Sequence, residues 1–235
     1  MMVNMFFNSS DDFDKYVRDH SVERLGKGSY GTCYKMDTGV TLKCFHIGFS
    51  PKDVLKFKDV YIPGFQFARK IAAVRSSALG AFAEYGEGKD LKKRNAKDQD
   101  MILLGNHIAE FADNVRELSK LKIKMSDVAR RNILYDYSKF TAIDTMDYSV
   151  QKDEDVLAYN IEEAMTVLMH HFVYEITRHS IMYDFRDYDS EENYMNPIGY
   201  FTEMRDYIRN VTDEEVSTIT EAEDALERRR VRLYF

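Results

Sequence analysis

The sequence predicts an α+β fold in which a β-rich N-terminal region precedes a mostly helical C-terminal region. Short alternating segments punctuated by glycines occupy residues 22–85, whereas apolar residues recur in steps of three and four across residues 100–121 and 160–179. Alternation is typical of half-buried strands, and steps of three and four are typical of amphipathic helices. We therefore place the β-rich region at residues 1–85, a hinge and linker at 86–100, and the helical region at 101–235.

Composition and charge narrow the classes of protein to which the chain can belong. It has 235 residues, 44% of them hydrophobic, which suits one large domain or two joined lobes and is too apolar for disorder. Its net charge of −7 disfavours nucleic acid as the main partner. Because it has two cysteines, no apolar run of bilayer length and no signal-peptide pattern, we expect a cytoplasmic protein without a membrane partner.

The β-rich region is predicted to begin with a short helix or an extended arm, capped by Ser9 or Ser10. A short helix from Ser50 or Pro51 and five strands follow, the strands covering residues 22–25, 32–36, 40–45, 65–74 and 79–85. The glycine loop, residues 26–31, joins the first two strands instead of opening a helix. It is therefore atypical of dinucleotide-binding folds and typical of loops whose backbone amides close over nucleotide phosphates.

Four helices are predicted in the helical region, over residues 100–121 and 160–179, from Pro197, and over 221–235. Capping-box spacing occurs twice, in Thr212 with Glu215 and in Thr220 with Glu223, which predicts helix starts at both places. His107 lies off the apolar stripe of the first of these helices, so we expect it at the surface.

The most informative stretch carries Asp127, Asn132 and Asp144. We expect a loop to present Asp127 and Asn132, two short strands to form a hairpin behind it, and Asp144 to emerge at the end of the hairpin. Phosphoryl transfer needs oxygen ligands for a divalent metal and a carboxylate that orients the attacking hydroxyl. The stretch supplies both.

Residues 125–132 and 143–147 resemble the catalytic loop and the metal-binding motif of the eukaryotic-type protein kinases. The resemblance implies that Asp127 is the catalytic base and that Asn132 and Asp144 bind Mg²⁺. Lys43 ends a Val-Thr-Leu-Lys run similar to the kinase strand whose lysine meets the α- and β-phosphates of ATP. Residues 84–91 resemble the kinase hinge.

The resemblance extends to the other residues of the nucleotide site. Cys33 falls where the family covers the adenine, and Asp90 falls at the acid that meets the ribose. The implied nucleotide-binding residues are Gly26, Lys27, Gly28, Ser29, Gly31, Cys33, Lys43, Glu84 and Asp90.

Four features depart from the family pattern. Met125-Ser126 replaces His-Arg before Asp127, and Thr145-Met146 replaces Phe-Gly after Asp144. The family has a helix glutamate that pairs with the strand lysine, but no Glu occurs between Lys43 and Glu84, which leaves Asp53 or Asp59 as shorter substitutes. No Ala-Pro-Glu triplet follows Asp147, so the activation segment is predicted to be reduced.

The resemblance implies a bilobal protein-kinase-like fold, as in a compact kinase from a bacterium or phage. The implied activity is ATP- and Mg²⁺-dependent transfer of the γ-phosphate to a Ser, Thr or Tyr hydroxyl of a protein. Ala129 and Arg131 resemble the corresponding tyrosine-kinase loop. Two alternatives remain open: a small-molecule kinase similar to those for aminoglycosides or choline, and a nucleotide-binding pseudokinase that acts as a scaffold.

Overall fold

The chain folds into an α+β structure with a mixed sheet in its N-terminal region and helices in its C-terminal region. The structure is a computed structural model that describes residues 4–93, 96–152, 155–186, 188 and 190–234. The chain divides into two compact units. The first comprises Met1–Tyr61, Phe65–Glu87 and Ile143–Met146, and the second comprises Ile62–Gly64, Gly88–Ala142 and Asp147–Phe235. The sequence does not predict that residues 143–146 belong to the first unit.

The first unit is built on a six-stranded sheet with the order β1-β5-β6-β4-β3-β2. Its strands are β1 Met5–Phe7, β2 Ser21–Lys27, β3 Gly31–Met36, β4 Val40–Phe49, β5 Lys70–Val74 and β6 Ser77–Glu84. Strand β1 pairs with β5 in parallel, and the other neighbours are antiparallel. The sequence does not predict β1, because three residues are too few to show a period.

Helix α1, Ser10–His20, covers one face of this sheet. Ser9 caps it by accepting a hydrogen bond from the backbone N–H of Asp12, which decides between the two predicted caps. Phe13 and Val17 bury the apolar side of the helix in one cluster with Leu42 of β4. The N-terminal segment is therefore a short strand followed by a helix rather than an arm.

The connection between β4 and β5 is less regular than predicted. Helix α2 spans only Pro51–Val54, and residues 66–69 lie outside the sheet although a strand is predicted there. The Arg69 amide still donates to the Phe82 carbonyl at 2.8 Å, and the Gln66 carbonyl accepts from the Thr145 hydroxyl at 2.9 Å. The Arg69 guanidinium donates to the carbonyls of Lys58, at 2.9 Å, and Val60, at 2.6 Å. Isolated bonds to β6 and to Thr145 thus take the place of a continuous strand pairing over residues 66–69.

The second unit is dominated by five helices in its described residues: α3 Met101–Lys120, α4 Leu157–Thr177, α5 Glu191–Met195, α6 Pro197–Thr212 and α7 Ile219–Tyr234. The predicted stripe of α3 is fully buried, with Leu104, Ile108, Val115 and Leu118 at 0% exposure. His107 was expected at the surface but is half-buried, and its Nδ1 lies 2.9 Å from the Tyr135 hydroxyl.

Both predicted capping boxes are wrong. Thr212 is the last residue of α6, where its hydroxyl donates to the Ile208 carbonyl, and Asp213 caps the C-terminus of that helix at φ 58°. The capping box of α7 is instead Thr218 with Glu221, each side chain accepting from the backbone N–H of the other. The Thr-x-x-Glu spacing does mark the start of α7. It also recurs within this stretch, so the spacing alone does not show which threonine is the cap. Phe235, the last residue of the predicted tail helix, lies outside the described residues.

Short strands complete the second unit. Strand β7, Lys89–Asp90, pairs with β9, Ile133–Tyr135, which forms the predicted hairpin with β10, Phe140–Ala142. Strand β8, Ile123–Lys124, pairs with β11, Ser149–Val150, in the segment after Asp147 that is predicted to be reduced. Residues 153 and 154 of that segment lie outside the described residues.

We expect Gly31→Ala to destabilise the first unit by about 1–3 kcal/mol, the usual cost of overpacking. A Cβ on Gly31 would overlap the backbone carbonyl of Cys44 on the neighbouring strand. Gly28→Ala is the matched control, because a Cβ there meets nothing within 4 Å, and it should change stability by less than about 0.5 kcal/mol. Chemical denaturation measures both variants, and equal losses would contradict the expectation.

Candidate functional site

Lys43 and Asp144 form an ion pair in the first unit. Lys43 lies in the middle of β4, between Cys33 of β3 and Ala81 of β6. Its side chain is 14% exposed and that of Asp144 is 33% exposed, so the pair is partly withdrawn from water. Among the described residues neither Asp53 nor Asp59 pairs with Lys43, and both are exposed. The carboxylate that meets Lys43 is therefore Asp144.

The backbone around Asp144 is held by three contacts inside the first unit. Asp144 adopts φ 59°, in the left-handed region that Asp tolerates better than most residues. The Thr145 hydroxyl donates to the Gln66 carbonyl at 2.9 Å, and the Lys56 ammonium donates to the Met146 carbonyl at 2.6 Å. The Met146 side chain packs against the cluster that contains Val54 and Ile71. Asp144 is therefore held in place by the residues that follow it.

The glycine loop brings an aromatic ring towards this pair. Its Gly28 amide donates to the Gly31 carbonyl and its Tyr30 carbonyl accepts from the His46 amide, both at 2.9 Å. The Tyr30 ring centre lies 5.8 Å from the Lys43 ammonium. Lys27, Gly28 and Ser29 are exposed. The structure thus places the side chain of Tyr30, which belongs to the glycine loop, near the Lys43 ammonium.

Cys33 is half-buried beside the pair. Burial raises the pKa of its thiol, the Lys43 charge lowers it, and the Asp144 charge raises it again. The pKa of Cys44 is raised to about 12, chiefly by burial, and Cys44 packs on the α1 face with Leu42. Because neighbours along a strand point to opposite faces, Cys33 shares the face of Lys43 and Cys44 does not.

The two predicted hinge residues lie in different surroundings. Glu84 ends β6 in the first unit, and its carbonyl accepts a hydrogen bond from the Gln66 side-chain amide. Asp90 lies in β7 of the second unit, where its carboxylate accepts from the Lys93 amide at 3.1 Å and pairs with the Lys93 ammonium at 3.0 Å. These contacts give Asp90 a turn-stabilising role whether or not it meets a ribose.

Asp127 and Asn132 lie together in the second unit. The Asn132 amide donates to the carbonyl and to the carboxylate of Asp127, at 2.9 and 3.0 Å. The Arg131 guanidinium donates to the other carboxylate oxygen at 2.6 Å. Asp127 adopts φ 52°, and Asn132 is 9% exposed. Since the nitrogen of Asn132 is used on Asp127, its Oδ1 is the atom suited to a metal.

Asn160 anchors the chain that leads into this loop. It is fully buried at the start of α4, accepts from the Met125 amide at 2.8 Å, and donates to the Ile123 carbonyl and the Ser119 hydroxyl. Sequence reasoning missed this role. The one signal in the sequence is that Asn160, a residue with a polar amide, stands at the start of a helix that is predicted to be buried.

The structure thus groups the predicted residues in two sets. Lys43, Asp144, Cys33 and the glycine loop lie together in the first unit, and Asp127 lies with Asn132 in the second. The described residues contain no group of three or more His, Cys, Asp or Glu side chains placed to hold a metal. Mg²⁺ is commonly held by one or two carboxylates together with phosphate oxygens, so the Asp144 carboxylate in the first unit and the Asn132 amide oxygen in the second are each of a chemical type suited to a nucleotide-bound ion.

Comparison with known proteins gives no assignment: no protein-family model matches the chain, and no curated protein matches it significantly. In the part of the chain that the structure describes, no helix has the length and apolar character needed to cross a bilayer.

We expect Asn160→Ala to lower the free energy of unfolding by about 3 kcal/mol, because it leaves buried backbone groups of Ile123 and Met125 without partners. Asn106→Ala, at an exposed position of α3, is the matched control and should change stability by less than about 0.5 kcal/mol. Denaturant unfolding measures both. A loss no larger than that of the control would contradict the anchoring role.

The charges beside Cys33 predict opposite effects on its alkylation by iodoacetamide at fixed pH. The thiolate is the reactive form. Asp144→Asn removes a charge that raises the thiol pKa and should speed alkylation, whereas Lys43→Met removes a charge that lowers it and should slow alkylation. Mass spectrometry follows the Cys33 peptide, with the Cys44 peptide as internal reference. Rate changes of the same sign in both variants would contradict this arrangement of charges.

Proposed function

We propose that the protein is an ATP- and Mg²⁺-dependent phosphotransferase of the protein-kinase-like class, which transfers the γ-phosphoryl group to a hydroxyl of a protein. The observation that carries this proposal is the ion pair between Lys43 and Asp144. They lie 101 positions apart in the sequence, yet their charges meet next to a glycine loop. A cation for phosphates and an anion for a metal are the two charges that a metal-nucleotide needs.

In this proposal the first unit binds the triphosphate. The Lys43 ammonium neutralises phosphate charge, and the glycine loop approaches with its backbone. Gly28 has neither a positive φ nor any atom within 4 Å of a Cβ position, so the fold itself does not require glycine there. A loop that must admit phosphates has a reason to omit that side chain.

The metal is assigned to oxygen ligands. Asp144 would supply a carboxylate oxygen and Asn132 its Oδ1, with phosphate oxygens as further ligands. When bound, Mg²⁺ supplies charge neutralisation on the group that is transferred.

Asp127 is assigned to the acceptor. Asn132 and Arg131 hold its carboxylate from two directions, so it can receive a hydrogen bond from a hydroxyl in a fixed orientation. As the hydroxyl oxygen bonds to the γ-phosphorus, the bond from that phosphorus to the bridging oxygen breaks and ADP leaves. The hydroxyl proton passes to Asp127.

A nucleotide-binding scaffold without turnover is the second candidate. It is favoured by the observation that Lys43 and Asp144 neutralise each other, as do Asp127 and Arg131. A protein that binds a nucleotide only to stabilise one conformation can use the same groups without transferring phosphate.

The test incubates the protein with γ-labelled ATP, Mg²⁺ and a panel of Ser-, Thr- and Tyr-containing peptides and small amino alcohols. We expect label transfer to a peptide or to the protein itself. Asp127→Asn and Lys43→Met should reduce the rate about a hundredfold or more. Asp113→Asn, on exposed α3 surface, and Lys52→Met, exposed in α2, are the matched controls and should leave the rate unchanged.

The remaining outcomes decide between the candidates. Label on an amino alcohol alone would identify a small-molecule kinase. Thermal stabilisation by Mg²⁺ and ATP without label transfer would identify the scaffold. Neither stabilisation nor transfer would refute nucleotide binding altogether.

A further inference from the structure

We infer that Lys56 is a positioning residue that holds the segment after Asp144, and so keeps the Asp144 carboxylate in place at Lys43. Its effect on metal-nucleotide binding depends on the proposed function, whereas its effect on the ion pair does not. Nothing in the sequence patterns singles out Lys56, which is one of several lysines in residues 50–62.

Lys56 projects from a well-anchored turn. The turn follows α2 and contains backbone hydrogen bonds from Leu55 to Pro51 and from Lys58 to Leu55. Val54 and Phe57, on either side, are 5% exposed. The Lys56 backbone is therefore fixed by buried neighbours while its side chain stays in an exposed environment. A side chain can position another segment only if its own backbone is held in place.

The contact made by Lys56 is short and charge-assisted. Its ammonium donates to the Met146 carbonyl at 2.6 Å, and a charged donor makes such a bond stronger than a neutral one. On the same segment, Thr145 is fixed to Gln66 by its hydroxyl. Two consecutive residues after Asp144 are thus each bonded to a different part of the first unit.

The orientation of Asp144 depends on these bonds. An Asp carboxylate lies only two rotatable bonds from the backbone, so a change in backbone angles moves it directly. Asp144 adopts φ 59°, which is less favourable than an extended or helical conformation and persists only where the surroundings impose it. Removing the bond from Lys56 should let the segment relax and let the carboxylate move away from Lys43.

Lys58 offers a matched control two positions further on. Its side chain is 52% exposed and pairs with Asp59, which is 81% exposed. Replacing Lys58 by Met removes the same charge and keeps the same apolar stem, but does not touch the Asp144 segment. Any effect of general charge or of turn stability will appear in both variants.

The first experiment needs no nucleotide. Wild type, Lys56→Met, Lys56→Arg, Lys58→Met and Asp144→Asn are treated with an amine-acylating reagent, and mass spectrometry follows the Lys43 peptide. Acylation requires that Lys43 leave Asp144. Lys56→Met should therefore raise the rate by up to about tenfold, the factor that one hydrogen bond is worth. Asp144→Asn sets the upper limit, while Lys58→Met should match wild type and Lys56→Arg should restore most of the protection.

The second experiment measures ATP binding with Mg²⁺ and with a chelator. We expect Lys56→Met to weaken binding by about tenfold with Mg²⁺ and not to weaken it with chelator, because the metal needs the Asp144 carboxylate whereas phosphates compete with that carboxylate for the Lys43 ammonium. If wild type binds no ATP, the proposed function fails, but Lys43 acylation still decides the role of Lys56.

A Lys43 acylation rate in Lys56→Met equal to that of wild type would overturn the inference, as would an equal increase in Lys58→Met. If Lys56→Met does not fold, Thr145→Val removes the neighbouring bond and should raise the Lys43 rate in the same way; no change in that variant would also overturn it.

Discussion

The constraint on which the first unit depends is that a partly buried ammonium in the middle of a sheet needs a counter-charge. Lys43 is 14% exposed, and a charge withdrawn from water is costly unless it is paired. No residue of its own strand, nor of the strands beside it, supplies the carboxylate among the described residues. Asp144 does, and residues 143–146 are consequently part of the first unit although the hairpin before them belongs to the second.

In the proposed function, the same ion pair links the binding of the nucleotide to the binding of the metal. While Lys43 is paired with Asp144, neither charge is available to a ligand. Phosphates must therefore compete with Asp144 for the ammonium, and a metal must compete with Lys43 for the carboxylate. A ligand that carries both phosphate and metal satisfies both groups at once, whereas either component alone leaves one charge without a partner. In the proposed function, ATP and Mg²⁺ therefore bind with positive coupling, since each relieves the competition that opposes the other.

Periodic elements could be predicted from the sequence and the contacts between them could not. The α3 stripe and the hairpin before Asp144 follow from local patterns of residues, and both are present. The sequence does not predict the contacts of Lys56 and Asn160, because their hydrogen-bond partners lie far away along the chain. The family resemblance predicts the partner of Lys43 in the segment after β4, at Asp53 or Asp59, because it carries no information about a partner from a different part of this chain.

The positive φ angles of Asp127 and Asp144 differ in setting from those of Lys122, Asp213 and Arg75. Lys122 and Asp213 end helices, and Arg75 turns a hairpin, so their conformations follow from connectivity. Asp127 and Asp144 lie in neither setting. Side chains hold both: Arg131 and Asn132 of the same loop bond to Asp127, and Lys43 pairs with Asp144, so each aspartate presents its carboxylate to a cation. Strain maintained by such contacts, rather than by the turn itself, is typical of groups kept in position for a ligand. The conformations of both aspartates are therefore an observation, independent of the motif, on which the proposed function can draw.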